Sequence, residues 1–368
     1  MLVRMPGRGI RSVVIAAALA AALAVSALAG ARARAATDPI AAEIDRWSAF
    51  VKSNTATDEI WTQIKDGSAA ALGRAAEALR AGRRLLALQR LAYAREDLSA
   101  ATYMGERSAA ERKDTAAFEA EWKRMGAVLR GDLAPPRADA LAGVEPAAVR
   151  ALGEAALPQV RVYYEASLEY GRNTMPDSGL FYLGSAQAQR DFVAFARGLA
   201  EHSSLRAPAV RALGAELDAL DAEMLAVYRP PLSIDRHPQF ITASSLLKEA
   251  RELDAAGLRY AALLRYLQAA YRFAPLRTAP PALDAAALAA DLGRAQERLK
   301  PGAVDHSLGL LFLETAQSEA AAAEGAANAA AILADVLPRY FRALEPALPP
   351  PPAPPAKVAI TLVRWPYT

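Results

Sequence analysis

The chain has 368 residues, 53% hydrophobic and 23% charged, which is enough apolar side chain for a core and too much for a disordered polymer. It has no cysteine and only 3 histidines, which excludes disulfides, thiolate metal sites, Fe–S ligation, a lipid-modified cysteine and a cysteine nucleophile. The formal charge of +3 belongs to the N-terminus. Residues 1–35 hold five arginines and no acid, so the remainder carries −2 and charge gives no case for nucleic acid or anionic lipid as a partner.

Residues 1–35 read as a signal peptide. Arg4, Arg8 and Arg11 form a cationic start, Val13–Gly30 is uncharged and apolar, and Ala33-Arg34-Ala35 offers small residues at a cleavage site. A retained anchor helix is the other reading, since the apolar run is just long enough to span. Alanine is only weakly apolar, and a cleavage site follows, so removal is expected. There is no adjacent arginine pair, which favours the general secretory route. The mature protein is then periplasmic or secreted, with no integral membrane span.

From Asp38 to about Ala343 the apolar positions recur three and four apart, which predicts an all-α body over 36–345, with halves at 36–135 and 140–345. Alanine, the strongest helix former, is the commonest residue. Asp38-Pro39 is a helix start, a cap followed by proline in the first turn, and Thr55–Asp58 is the next. Breaks are expected at Gly131–Pro136, Asn173–Gly179, Tyr228–Pro238, Ala274–Pro281 and Lys300–Gly302. The nearly uncharged stretch Glu319–Ala331 predicts a buried helix packed through small side chains.

Two segments repeat. Leu72–Ala94 and Leu247–Ala269 share ten identities in 23 positions at an offset of 175 residues, more than alanine content explains. Gly82 and Gly257 are among them and suit the left-handed conformation that ends a helix. Ala87 and Ala262 leave room for a second helix to lie close to the first. In the second copy Tyr260, Leu264, Leu267 and Tyr271 form an apolar stripe, which puts Arg259, Arg265 and Arg272 on other faces.

Gly82, Ala87-Leu88, Leu91 and Ala94 resemble the turn and second helix of a tetratricopeptide repeat. Gly257, Ala262-Leu263, Tyr266 and Ala269 resemble the same pattern, with Pro275 near the place of the repeat's closing proline. The first helices depart from it: Ala71 and Leu246 stand where the family has tryptophan, and no 34-residue period links the copies. The resemblance implies a helical-repeat-like body that binds protein or peptide on a concave surface, without catalysis.

Residues 346–356 form a proline-rich linker, expected as stiff polyproline II. In the tail, 357–368, Val358, Ile360 and Leu362 alternate with Ala359, Thr361 and Val363, a strand pattern, and Trp365 and Tyr367 follow beside the carboxylate. A lone strand leaves its backbone unpaired. Three partners suit it: the segment Leu232–Ile241 of the same chain, a helical groove, or another protein's sheet.

The sequence shows no phosphate-binding loop, no dinucleotide turn, no serine elbow and no His-Glu-x-x-His pair. No catalytic residue, cofactor or metal is assigned. His202 has no evident role, Asp305 is read as the cap of a helix beginning near His306, and His237, in a proline-flanked loop, is the best functional histidine. Glu165 and Glu169 lie one turn apart beside Tyr163, Tyr164 and Tyr170. They suit acid–base work or cation binding, or else a solvated stripe paired with Arg161 and Arg172. A binding groove would have its lip at Tyr170–Gly184 or Leu232–Phe240. The expected protein is an exported, non-enzymatic scaffold or adaptor that binds a protein or peptide through its helical surface, its tail, or both. The alternative is an envelope enzyme or small-molecule binder with a site between helices, using Glu165, Glu169 or His237.

Overall fold

The computed structural model describes residues 38–54, 59–172, 175–200, 205–229, 234–277, 284–300 and 302–344. Among these no strand occurs, and the β-bridge between Arg206 and Val304 is isolated. The helices are α1 (Pro39–Ser53), α2 (Glu59–Arg80), α3 (Arg84–Gly105), α4 (Thr115–Val128), α5 (Ala147–Arg172), α6 (Pro176–Gly198), α7 (Gly214–Val227), α8 (His237–Ala255), α9 (Arg259–Phe273), α10 (Ala285–Arg298), α11 (Ser307–Ala320), α12 (Ala326–Ala331) and α13 (Leu337–Leu344). A π-helical turn, Ile332–Val336, joins the last two. The export segment, the Thr55–Asp58 helix start, His202, the proline-rich linker and the tail with Trp365 and Tyr367 lie outside the described residues.

The first helix starts as its sequence dictates: Asp38 Oδ1 accepts the Ile40 amide at 2.9 Å and Pro39 supplies the helical φ. Ile40, Ile44, Trp47 and Val51 then fall on one buried face, and Phe50 meets Trp61 of α2 edge-on at 5.8 Å.

The two repeated hairpins close identically. Gly82 (φ +74°) and Gly257 (φ +77°) are left-handed. Arg83 N–H donates to Ala78 C=O at 2.8 Å and Gly82 N–H to Leu79 C=O at 3.0 Å; the counterparts are Leu258 to Leu253 at 3.0 Å and Gly257 to Asp254 at 3.1 Å. These are the paired bonds that satisfy the last carbonyls of a helix ending in a glycine. Alanine at either glycine is expected to lower stability by ~1 kcal/mol, the cost of a Cβ at positive φ. Gly257→Ala loses more, because the added carbon would lie 2.9 Å from the Ala138 methyl. Urea unfolding of both variants checks the order.

Among the described residues two sets of helices, α1–α6 and α7–α13, pack reciprocally. In the first, α2 pairs with α3 and α5 with α6; in the second, α8 pairs with α9 and α11 with α12. Across the halves, α5 packs on α9 and α11 packs on α3. Each of these contacts carries one buried carboxylate. Glu154 of α5 is 0% exposed and accepts the Tyr260 and Ala261 amides at the start of α9, both at 3.2 Å. Glu314 of α11 is 6% exposed and accepts the Leu86 amide, at 2.7 Å, at the start of α3. Residues 85–86 and 260–261 are the same places in the repeat. An exchange of equivalent contacts between equivalent partners is the pattern of an isologous interface, here within one chain. The similarity extends into α5 and α11, where Val144, Glu154 and Ala156 match Val304, Glu314 and Ala316 at an offset of 160.

Two expectations are corrected. The segment Leu232–Ile241 is not an extended partner for the tail: from Ile234 it is a 3-10 turn running into α8, because Pro238 in the first turn starts a helix without losing a hydrogen bond. The stretch Glu319–Ala331 is not one buried helix. It breaks after Ala320 into an exposed turn, and Gly325 packs so close to the Glu319 carbonyl that a Cβ there would collide. Arg265 lies off the apolar stripe, on a face that is itself covered: α9 is buried on nearly every side, and this side chain is 15% exposed.

Candidate functional site

The carboxylates singled out in the sequence do not converge. Glu165 is exposed and lies 3.7 Å from Arg161, one turn away, and Glu169 is exposed on the same face. Arg172 reaches across to Glu119 instead, at 3.8 Å. This is a solvated stripe. His237 is exposed at the start of α8, with its Nδ1 2.5 Å from the Tyr228 hydroxyl, and Tyr228 stacks on Phe240 at 4.0 Å. His306 is partly buried, its Nδ1 3.0 Å from the Tyr340 hydroxyl, and burial lowers its pKa. Asp305 stands one residue before His306, the N-cap of α11, rather than at the cap itself; its Oδ1 accepts the Ser307 amide at 2.8 Å and its Oδ2 the Ala147 amide at 2.5 Å. The Tyr170–Gly184 segment holds aromatic packing: Tyr170 stacks on Tyr182 at 4.7 Å, and Phe118 sits against Gly171 and Gly179. Among the described residues no three histidine or acidic side chains are grouped to hold a metal, and no helix is long and apolar enough to cross a membrane.

The large opening lies elsewhere, in the second half. A groove of about 830 Å³ runs between α10 on one side and α12, the π turn and α13 on the other, with Ala274 and Pro275 also lining it. Its origin is local. Asp284 caps α10 through the Ala286 amide at 2.9 Å, and α10 turns Leu288 and Ala295 inward. The opposite wall is the alanine-rich α12, whose methyl groups leave the space between the helices unfilled. In the π turn Ile332 and Val336 are fully buried, while Leu333 and Ala334 line the groove, and α13 adds Leu337 and Phe341. Interrupted helices of this kind recur at functional sites.

The groove's edge is held by ion pairs. Arg339, 5% exposed, bridges Asp335 (2.9 Å), Glu223 (2.8 Å) and the Tyr266 hydroxyl (3.0 Å). Arg277 joins the same cluster through Glu223 and Asp335. Arg294 pairs with Asp291. Arg298 lies with its guanidinium 3.6 Å over the Phe341 ring and presents its charge at the rim. Among the described residues the other charges on the rim are paired, and Arg298 stacks on Phe341. Among the described residues the groove's carboxylates, Asp291 and Asp335, are both paired with arginines. The lining offers apolar surface with Arg298 at its border.

The groove was missed in the sequence because it belongs to a stretch of alanines read as buried. Alanine predicts helix but does not say whether the space beside the helix is filled. No protein-family model, curated protein or solved structure matches the chain.

Proposed function

We propose that the protein is an exported, non-enzymatic scaffold whose apolar groove binds an extended or helical peptide segment carrying a carboxylate. The open groove between α10 and the π-interrupted α12–α13 carries this reading, since a contiguous apolar cleft of this size is unusual unless something docks in it. Apolar side chains of the peptide fill the space beside Ala334 and Leu337, and a carboxylate meets Arg298. The resemblance of the two hairpins to tetratricopeptide repeats supports peptide binding, and the cationic-apolar N-terminus supports export.

Selection of a displayed random-peptide library on the purified protein tests this. Enriched peptides are expected to be apolar with an acidic residue or a free C-terminus. Ala334→Arg, which puts a long side chain into the groove from an exposed position, should weaken them at least tenfold, and Arg298→Glu should weaken the acidic ones selectively. Peptides that bind both variants as well as the parent would show that the groove is not the site.

A further inference from the structure

A second cavity, smaller and polar, shares no lining residue with the groove. Its volume is about 240 Å³, equivalent to about eight waters. It is bounded by α3, α5 and α6 of the first set of helices and by α8 and α9 of the second, so it is a product of their contact. Its apolar lining comes mainly from α5 and α6, as Leu152, Ala155, Ala156, Ala188 and Phe192. Tyr93 is 52% exposed and lines the same cavity, so it stands where the cavity meets solvent.

The charges in this chamber balance: Arg95 and Arg265 stand against Glu96 and Glu249. Each of the four is already engaged by the protein. Arg265 pairs with Glu249 at 2.9 Å, and Arg95 pairs with Glu43 at 3.2 Å. Glu96 accepts from Gln189 Nε2 at 2.6 Å and from the Tyr163 hydroxyl. An ionic ligand would add a buried charge to a set that is already matched. The hydrogen-bonding capacity left over is neutral. Gln159 and Gln189 use their Nε2 groups on Glu249 and Glu96, which leaves their amide oxygens as acceptors. The Tyr93 hydroxyl accepts from Arg265 and keeps its own proton to donate, and Gln89 adds an amide that can do both. A polar space of this size takes up water. A ligand displaces such water without loss only where it reproduces water's hydrogen bonds, and hydroxyl groups, both donor and acceptor, do so.

We propose that this chamber binds a monosaccharide, a single neutral pyranose ring. Its hydroxyl groups donate to the amide oxygens of Gln159 and Gln189 and accept from the Gln89 amide and the Tyr93 hydroxyl. Its C–H faces lie on Phe192 and the small apolar side chains of α5. A pyranose carries both surfaces, an apolar face and a hydroxyl edge, on one rigid ring, and a rigid ring loses less freedom on binding than an open-chain polyol. The volume limits the ligand to less than drug size. This site is independent of the peptide groove.

Isothermal titration of the full chain with D-glucose, D-galactose and D-mannose tests the proposal, with cyclohexanol as the ring that lacks the further hydroxyls and D-glucuronate as the charged counterpart. Saturable binding of at least one of the three sugars is expected, at least tenfold tighter than either control. Gln159→Leu, which removes an acceptor, should weaken it at least tenfold, while Glu165→Gln, on the exposed stripe, should leave it unchanged. Should Gln159→Leu not fold, Ala155→Leu fills the chamber from an apolar wall, keeps every polar group and should abolish binding. The proposal is overturned by absence of saturable binding of all three sugars, by binding of cyclohexanol or D-glucuronate as tight as that of the sugars, or by a variant of Gln159 or Ala155 that folds and binds like the parent.

Discussion

Glu154→Ala is expected to lower the unfolding free energy by ~3–5 kcal/mol, the range for breaking a buried pair by removing one partner. Three groups lose their acceptor at once. The Tyr260 and Ala261 amides, at the N-terminus of α9, have no intrahelical partner, and Arg150, whose Nε lies 2.6 Å from Glu154, is left 19% exposed without its counter-charge. The loss is a large fraction of the 5–15 kcal/mol that holds a typical domain folded. Glu154→Gln keeps an oxygen for the amides and removes only the charge, so its loss should be smaller. Urea midpoints of the two variants measure the difference. A loss below ~1 kcal/mol for the alanine variant would mean that α5 and α9 are held together by apolar packing alone.

Stability should also fall as pH rises from about 4.5 to 7, and Glu314→Gln should reduce that slope. Burial pushes the Glu314 carboxyl up from 4.5 to about 7, outweighing the amides of Leu85 and Leu86 that favour its charged form. A group that holds its proton more tightly when folded stabilises the fold fully below its unfolded pKa, and the contribution is lost as pH climbs through its folded pKa. The shift corresponds to ~3 kcal/mol. Glu96 and Glu154 are raised too and act with the same sign, so the reading is the difference between parent and variant. Glu43 is lowered, and Glu121 is lowered to about 2 beside Arg124 and Arg107; both act at lower pH with the opposite sign, stability being lost as they protonate. Urea unfolding at pH 4.5 and pH 7.5 measures the slope. A variant as pH-dependent as the parent would place the titration elsewhere.

These two carboxylates show how the chain was made legible in part. The repeat at offset 175 was visible in the sequence, and so was the role of Gly82 and Gly257, because a glycine ending a helix leaves a local pattern that a turn must obey. Glu154 and Glu314 left no such pattern. Each lies in mid-helix, and what makes it a cap is a helix from the other half of the chain, 106 and 228 residues away. Glu165 and Glu169 had the stronger local pattern, two acids one turn apart among tyrosines. They proved to be surface, because the faces of α5 that bury are set by α6 and α9.

The sequence by itself determined the all-α class, the helix start at Asp38, and the two hairpins with their left-handed glycines. All of these depend on period and on bonds made within a few residues. Tertiary structure decided the rest: that the halves exchange a carboxylate each, that Arg265 is interior, and that an alanine helix borders a groove. The physical reason is that space and charge between helices are properties of pairs. A helix period tells which face is apolar, but whether a facing residue fills that space, or neutralises that charge, is fixed by a partner far off in the chain.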